Sequence, residues 1–137
     1  MRRLVVTLMA LIAIAVAADP VHDIAKAREL TEWVNQHVEY VRSPHVIKTP
    51  ASTLLTGGDC ADMSGLLIWL LADEGIKASM LLLDLDDFAE HHAVVSLYGH
   101  IYDPTTGRVF RERFPLPHRI GDSIGISNLL ADWEGRK

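Results

Sequence analysis

Between Gly57-Gly58 and Gly75 the chain carries Asp59-Cys60-Ala61-Asp62 and then an almost unbroken apolar stretch. Met63, Leu66, Leu67, Leu70 and Leu71 recur at helical spacing, and Ile68 and Trp69 fill the other side. A helix that is apolar nearly all round has no face to offer water, so it is predicted to be the buried centre of the fold. Its polar residues crowd the N-terminal turn, and Gly75 stands where a left-handed helix end belongs. The rest of the chain has to be arranged around this one element.

Upstream, Ile24, Ala27, Leu30, Trp33, Val34, His37, Val38 and Val41 recur at three- and four-residue steps. They predict an amphipathic helix opened by Asp19-Pro20, running to about Arg42 and stopped by Ser43-Pro44. Residues 44–48 have no period and read as loop. Thr49-Pro50 starts a short helical piece through Leu54-Leu55 that Gly57-Gly58 ends.

Downstream of Gly75 the texture changes to strands, at Ala78–Leu85, His91–Leu97, His100–Pro104 and Arg108–Phe110. Tyr98-Gly99 makes a tight connection, and Asp103-Pro104-Thr105-Thr106-Gly107 is a turn signal. Pro115 and Pro117 predict an extended stretch, and Asn128–Trp133 a last short helix. Helices followed by an antiparallel meander make the predicted class α+β.

The chain has 137 residues, 49% hydrophobic and 23% charged, and nothing in it repeats at a solenoid period. One domain over residues 19–137 is expected. Residues 1–18 read differently: Arg2 and Arg3 lead into an apolar run, Leu4 to Ala18, that ends in small residues before Asp19-Pro20. That order describes a secretory signal peptide. The alternative is an N-terminal anchor, but the run is shorter than the ~20 residues that cross a bilayer. Export to the periplasm, the cell envelope or the medium is the expectation, without stable membrane insertion unless residues 1–18 are retained.

Those residues hold two arginines and no acid, so their removal takes the net charge from −5 to −7. An acidic domain is a poor candidate for holding phosphates, which argues against nucleic-acid partners. Cys60 is the single cysteine, so no internal disulfide can form.

A lone thiol is either buried and inert or placed to react. Cys60 falls in the first turn of the central helix, where unpaired N–H groups and the helix dipole favour a thiolate. A cysteine used only for packing belongs among the leucines further along. Asp59 and Asp62 oppose ionisation, so a basic partner is required.

The strand pair offers one. With Tyr98-Gly99 as a two-residue hairpin loop, Leu97 faces His100 and Val94 faces Asp103. His92, Val94, Asp103 and Thr105 then share a face, and His92 and Asp103 become diagonal neighbours within reach of a hydrogen bond. His91 points to the other face. Laying the His92 face on the N-terminus of the central helix predicts Cys60 as nucleophile, His92 as base and Asp103 as the acid that orients it. The Cys60 backbone N–H is the expected oxyanion donor.

Three segments together resemble the transglutaminase-like superfamily of papain-related cysteine enzymes. Thr56-Gly57-Gly58-Asp59-Cys60-Ala61-Asp62, continuing to Gly75-Ile76-Lys77-Ala78, is similar to the family's Gly-Asp-Cys helix and the Gly-Ile-x-Ala after it. His92-Ala93-Val94-Val95 is similar to its His-Ala strand, and Tyr102-Asp103-Pro104-Thr105 to its Asp-Pro-Thr strand end. The resemblance spans residues 24–106 and implies the papain-like fold. It assigns Cys60, His92 and Asp103 the nucleophile, base and orienting roles, and it implies acyl-enzyme chemistry on a peptide or amide bond with no metal or organic cofactor. Members of the exported prokaryotic type imply a peptidase-like hydrolase acting on a protein or peptide. An amine-accepting transglutaminase and a non-catalytic binding or assembly module are the alternatives, the second supported by the acidic flanks of Cys60 and the small size.

Other clusters have blander readings. Asp84, Asp86, Asp87 and Glu90 read as a solvated strand end rather than a cation site, lacking the glycine and spacing of an EF-hand loop. His91, His92 and His100 could hold a transition metal only if the strand were irregular. Arg108, Arg111, Arg113 and Arg119 read as a basic surface. Trp33, Trp69 and Trp133 are expected in the core, and His22, His37, His45 and His118 receive no role.

Overall fold

The computed structural model describes residues 19–42, 46–85, 91–111 and 118–135. The leader expected at 1–18 lies outside the described residues, and among those described no helix is long and apolar enough to cross a membrane. Among the described residues, four helices and a five-stranded antiparallel sheet form the α+β architecture. In chain order these are α1 (Pro20–His37), α2 (Pro50–Thr56), α3 (Cys60–Asp73), β1 (Ser79–Leu85), β2 (His91–Leu97), β3 (His100–Asp103), β4 (Arg108–Phe110), β5 (His118–Gly125) and α4 (Ile126–Glu134).

Local chemistry sets the helix boundaries. Asp19 caps α1 through its side chain, with Pro20 in the first helical position, and Thr49 and Pro50 repeat the arrangement at α2. α3 ends in a left-handed Gly75 (φ 76°), and the Ile76 N–H returns to the Leu71 carbonyl. α1 stops at His37, short of the expected Arg42. Buried Val38 extends the apolar spacing, but the backbone beyond it is claimed elsewhere. The Val41 N–H donates to Gly58 O, and the Gly58 N–H to Glu39 O, forming a parallel bridge beside the start of α3. A side chain on Gly57 (φ 77°) would place its Cβ 2.5 Å from Glu39 O, so the approach depends on glycine.

The sheet runs β4-β3-β2-β1-β5. Strands β1 to β4 form the expected meander, and Tyr98 (φ 49°) and Gly99 (φ 74°) make the two-residue turn that sets Leu97 opposite His100. β5 pairs with β1 along the far edge. The sequence reading has no strand over this segment, which carries two glycines and no clean alternation, because its strand character comes from pairing with β1; the extended stretch expected at Pro115 and Pro117 lies outside the described residues.

α3 lies in the main core as expected, with Met63, Leu66, Leu67, Ile68 and Leu71 all at most 1% exposed. They pack on the sheet face that carries Met80, Ala93, Val95 and Tyr102. The alternate face bears a smaller cluster of Leu83, Val94 and Ile101. Of the three tryptophans only Trp133 is buried, donating its indole N–H to Ile47 O. Trp33 and Trp69 are exposed by more than a third, contrary to the core expectation; Trp33 stacks on His37 instead.

Candidate active site

Cys60 is the first residue of α3 and is half-buried. The turn that presents it is braced by two carboxylates. Asp59 accepts the Asp62 N–H at 3.1 Å and Asp62 accepts the Asp59 N–H at 3.0 Å, a reciprocal capping box. The other Asp62 oxygen accepts the Lys48 N–H at 2.7 Å, while Lys48 Nζ donates to Gly57 O at 3.0 Å. Asp62 is therefore buried with its backbone donors around it. Burial, followed by the negative charge of Asp62, holds the Asp59 carboxyl above the usual carboxylate range against the lowering effect of the Asp62 N–H.

His92 Nε2 and Asp103 Oδ2 are 2.9 Å apart, with the Asp103 side chain 3% exposed and that of His92 20%. The second Asp103 oxygen accepts from Thr105 N at 3.1 Å and Thr105 Oγ1 at 2.6 Å. Asn35 on α1 donates to Thr105 O at 2.9 Å, fastening the turn to the helix layer. Burial alone would raise the Asp103 value, but the hydrogen bonds from His92 and Thr105 outweigh it and hold the carboxyl below its ordinary range. For His92, burial disfavours the imidazolium, yet hydrogen bonds to Asp103 and Cys60 and their charges prevail, raising it to about 9. With Nε2 committed to Asp103, Nδ1 is the ring nitrogen left for the thiol.

The three residues singled out in the sequence are thus brought together, by a route that differs from the expected one. α3 does not lie on the His92 face. It packs on the opposite face, against Ala93 and Val95, and the thiol arrives at the edge of β2. The β2–β3 ladder runs from Val95 to Leu97, and β3 ends at Asp103. Past that point the Ala93 N–H donates to Cys60 Sγ at 3.5 Å, and Ser64 Oγ, one helical turn along α3, donates to Ala93 O at 3.1 Å.

The sequence reading named neither Ser64 nor the Lys48 and Asn35 contacts. A serine inside a helix that had to be buried was the available signal for Ser64, since a buried hydroxyl needs a partner. Asn35 and Lys48 act across long sequence separations and have no local signature. The Cys60 N–H expected as oxyanion donor stands at the first position of α3, where helix N–H groups lack intrahelical partners.

His91, one residue away, hydrogen-bonds Asp84 on the exposed side. His100 pairs with the Tyr98 carbonyl. Asp86, Asp87, Glu90 and Arg113, and the side chain of Arg119, lie outside the described residues.

No family model and no curated protein sequence matches the chain. Solved structures do. LapG of Legionella pneumophila, a transglutaminase-like cysteine protease, superposes in its calcium-bound form with a TM-score of 0.66 at 17% identity, covering 80% of this chain and 68% of that one. Another LapG structure gives 0.66 at 18% identity, covering 82% and 76%, and an EGTA-treated one gives 0.63 at 18% with the same coverage. Among the described residues no group of three or more His, Cys, Asp or Glu could hold a metal ion, and the carboxylates beside Cys60 are engaged by backbone N–H groups. At this identity the likeness establishes the fold alone: the chain has the α+β, transglutaminase-like architecture seen in LapG.

Proposed function

We propose that the protein is an exported cysteine hydrolase that cleaves a peptide or amide bond through an acyl-enzyme thioester. The observation that carries the reading is the unbroken chain of contacts from Thr105 and Asp103 through His92 to Cys60. Each member supplies what the next one needs. Asp103, held ionised, fixes the imidazole orientation and supports its positive charge, and His92 takes the Cys60 proton.

The Cys60 thiolate then attacks the carbonyl carbon, and the oxygen that becomes negative is received by the Cys60 backbone N–H. As the C–N bond breaks, His92 returns the proton to the leaving amine. Water, deprotonated by His92, attacks the thioester, releases the acid and restores the thiol. No step calls on a metal or organic cofactor. In this reading residues 1–18 are an export leader, residues 19–137 are the working domain, the site of action is the periplasm or cell envelope, and the substrate is a protein or peptide.

The test is turnover of a fluorogenic peptide library by wild type and Cys60→Ala, with folding followed by circular dichroism. Cleavage that disappears in a folded Cys60→Ala variant is the expected result; equal cleavage by both sinks the reading. Incorporation of a labelled amine in preference to hydrolysis would reassign the enzyme as an acyltransferase.

A further inference from the structure

We propose that Ser64 is a positioning residue for the Cys60–His92 pair, an inference that rests on the proposed function and adds a residue to it. The argument starts from β3. In the observed register Val95 faces Tyr102, so Ala93 would face Pro104. Alternation from the Leu97–His100 pair points the Ala93 N–H and C=O toward that position. Proline has no N–H to give, and β3 has already ended at Asp103. Ala93 is 1% exposed, so water cannot supply the missing partners, and an unmade bond there is costly.

α3 takes the place of the missing strand. Cys60 and Ser64, four residues apart on one helical face, receive the Ala93 N–H and donate to its C=O. Ser64 is fully buried and Ala93 O is its hydroxyl's acceptor. The backbone of one residue is thereby held at both its N–H and its C=O by the helix that bears the nucleophile, and that residue directly follows His92. The Ser64 hydroxyl sets how far the imidazole stands from the thiol, and it keeps the Ala93 N–H on the sulfur. It acts through Ala93 O rather than by a hydrogen bond to the reacting atoms.

The experiment is the rate of iodoacetamide labelling of Cys60 against pH for wild type, His92→Ala, Ser64→Ala and Leu71→Val. Leu71 is buried three turns from Cys60, so Leu71→Val reports general loss of packing. Wild type is expected to label fast well below the ~8.5 of an ordinary thiol. Ser64→Ala should lose about tenfold of that acidic-branch rate, while Leu71→Val lowers the melting temperature and keeps the profile. If Ser64→Ala does not fold, Ser64→Thr and Ser64→Val add the same bulk and differ in the hydroxyl; the threonine variant should keep the acidic branch and the valine variant lose it.

A wild-type profile with no acidic branch, or one unmoved by His92→Ala, defeats the catalytic pairing. A wild-type branch that survives intact in Ser64→Ala, or equally in the Thr and Val variants, defeats the role of Ser64 alone.

Discussion

Two consecutive residues of β2 each hold a carboxylate, and they are in opposite circumstances. His91 pairs with Asp84 across the β1–β2 ladder, with side chains 71% and 39% exposed. His92 pairs with Asp103 on the other face, at 20% and 3%. The residue types are the same and the chain positions adjacent, so the difference is one of surroundings. Water screens the first pair, which leaves it of little consequence for stability. The second carboxylate is fixed by Thr105, and its hydrogen bond to the imidazole, joined by that of the Cys60 thiol, outweighs burial and raises His92 to about 9. Strand alternation decides which histidine becomes part of a site.

The comparison breaks most sharply on substitution. His92→Ala is expected to lower the rate of Cys60 acylation by roughly 10³-fold, and His91→Ala to change it less than about twofold, both read from single-turnover labelling with a peptide ester. Asp103→Asn should cost on the order of 10²-fold, because the imidazole loses its charge partner, whereas Asp84→Asn should be silent in the same assay.

Stability against pH sharpens the contrast. The folded-state value of His92 lies above the ordinary 6.5, so its pairing stabilises fully below about 6.5 and is lost as pH rises through about 9. Asp103 is shifted downward, so its contribution holds above the ordinary 3.8 and fades as pH falls through its lower value. The melting temperature of His92→Gln should therefore fall furthest behind wild type between pH 5 and 6.5, with the gap closing toward pH 9. A gap constant across that range would mean that the pair carries no charge. The smallest effect is expected from Asn35→Ala, which loses the bond to Thr105 O and about 1 kcal/mol of stability by urea denaturation, with labelling slowed a few-fold.

Much of this site was legible before the fold. Gly-Gly-Asp-Cys ahead of an apolar helix placed the thiol in a first turn, and two-residue periodicity from the Tyr98-Gly99 turn selected His92 over His91. Both inferences use local geometry, which short sequence spacings encode. The way the two parts meet was not encoded locally. Laying the His92 face on the helix was the direct assumption, yet α3 occupies the other face and reaches the site over the edge that Pro104 leaves open. Likewise α1 stops at His37 because Glu39–Val41 is claimed by Gly58, a partner in another segment. β5 became a strand through β1, and Asn35 entered the site through a contact that no spacing within α1 announces.

Asp103, His92 and Cys60 acting as one electrostatic unit is the central claim, and the His92 imidazole reports it directly. Nuclear magnetic resonance titration of the labelled His92 ring should give a midpoint near 9 in wild type, moving toward 6.5 in Cys60→Ala and separately in Asp103→Asn. A His92 midpoint near 6.5 in wild type, unmoved by either substitution, would contradict it.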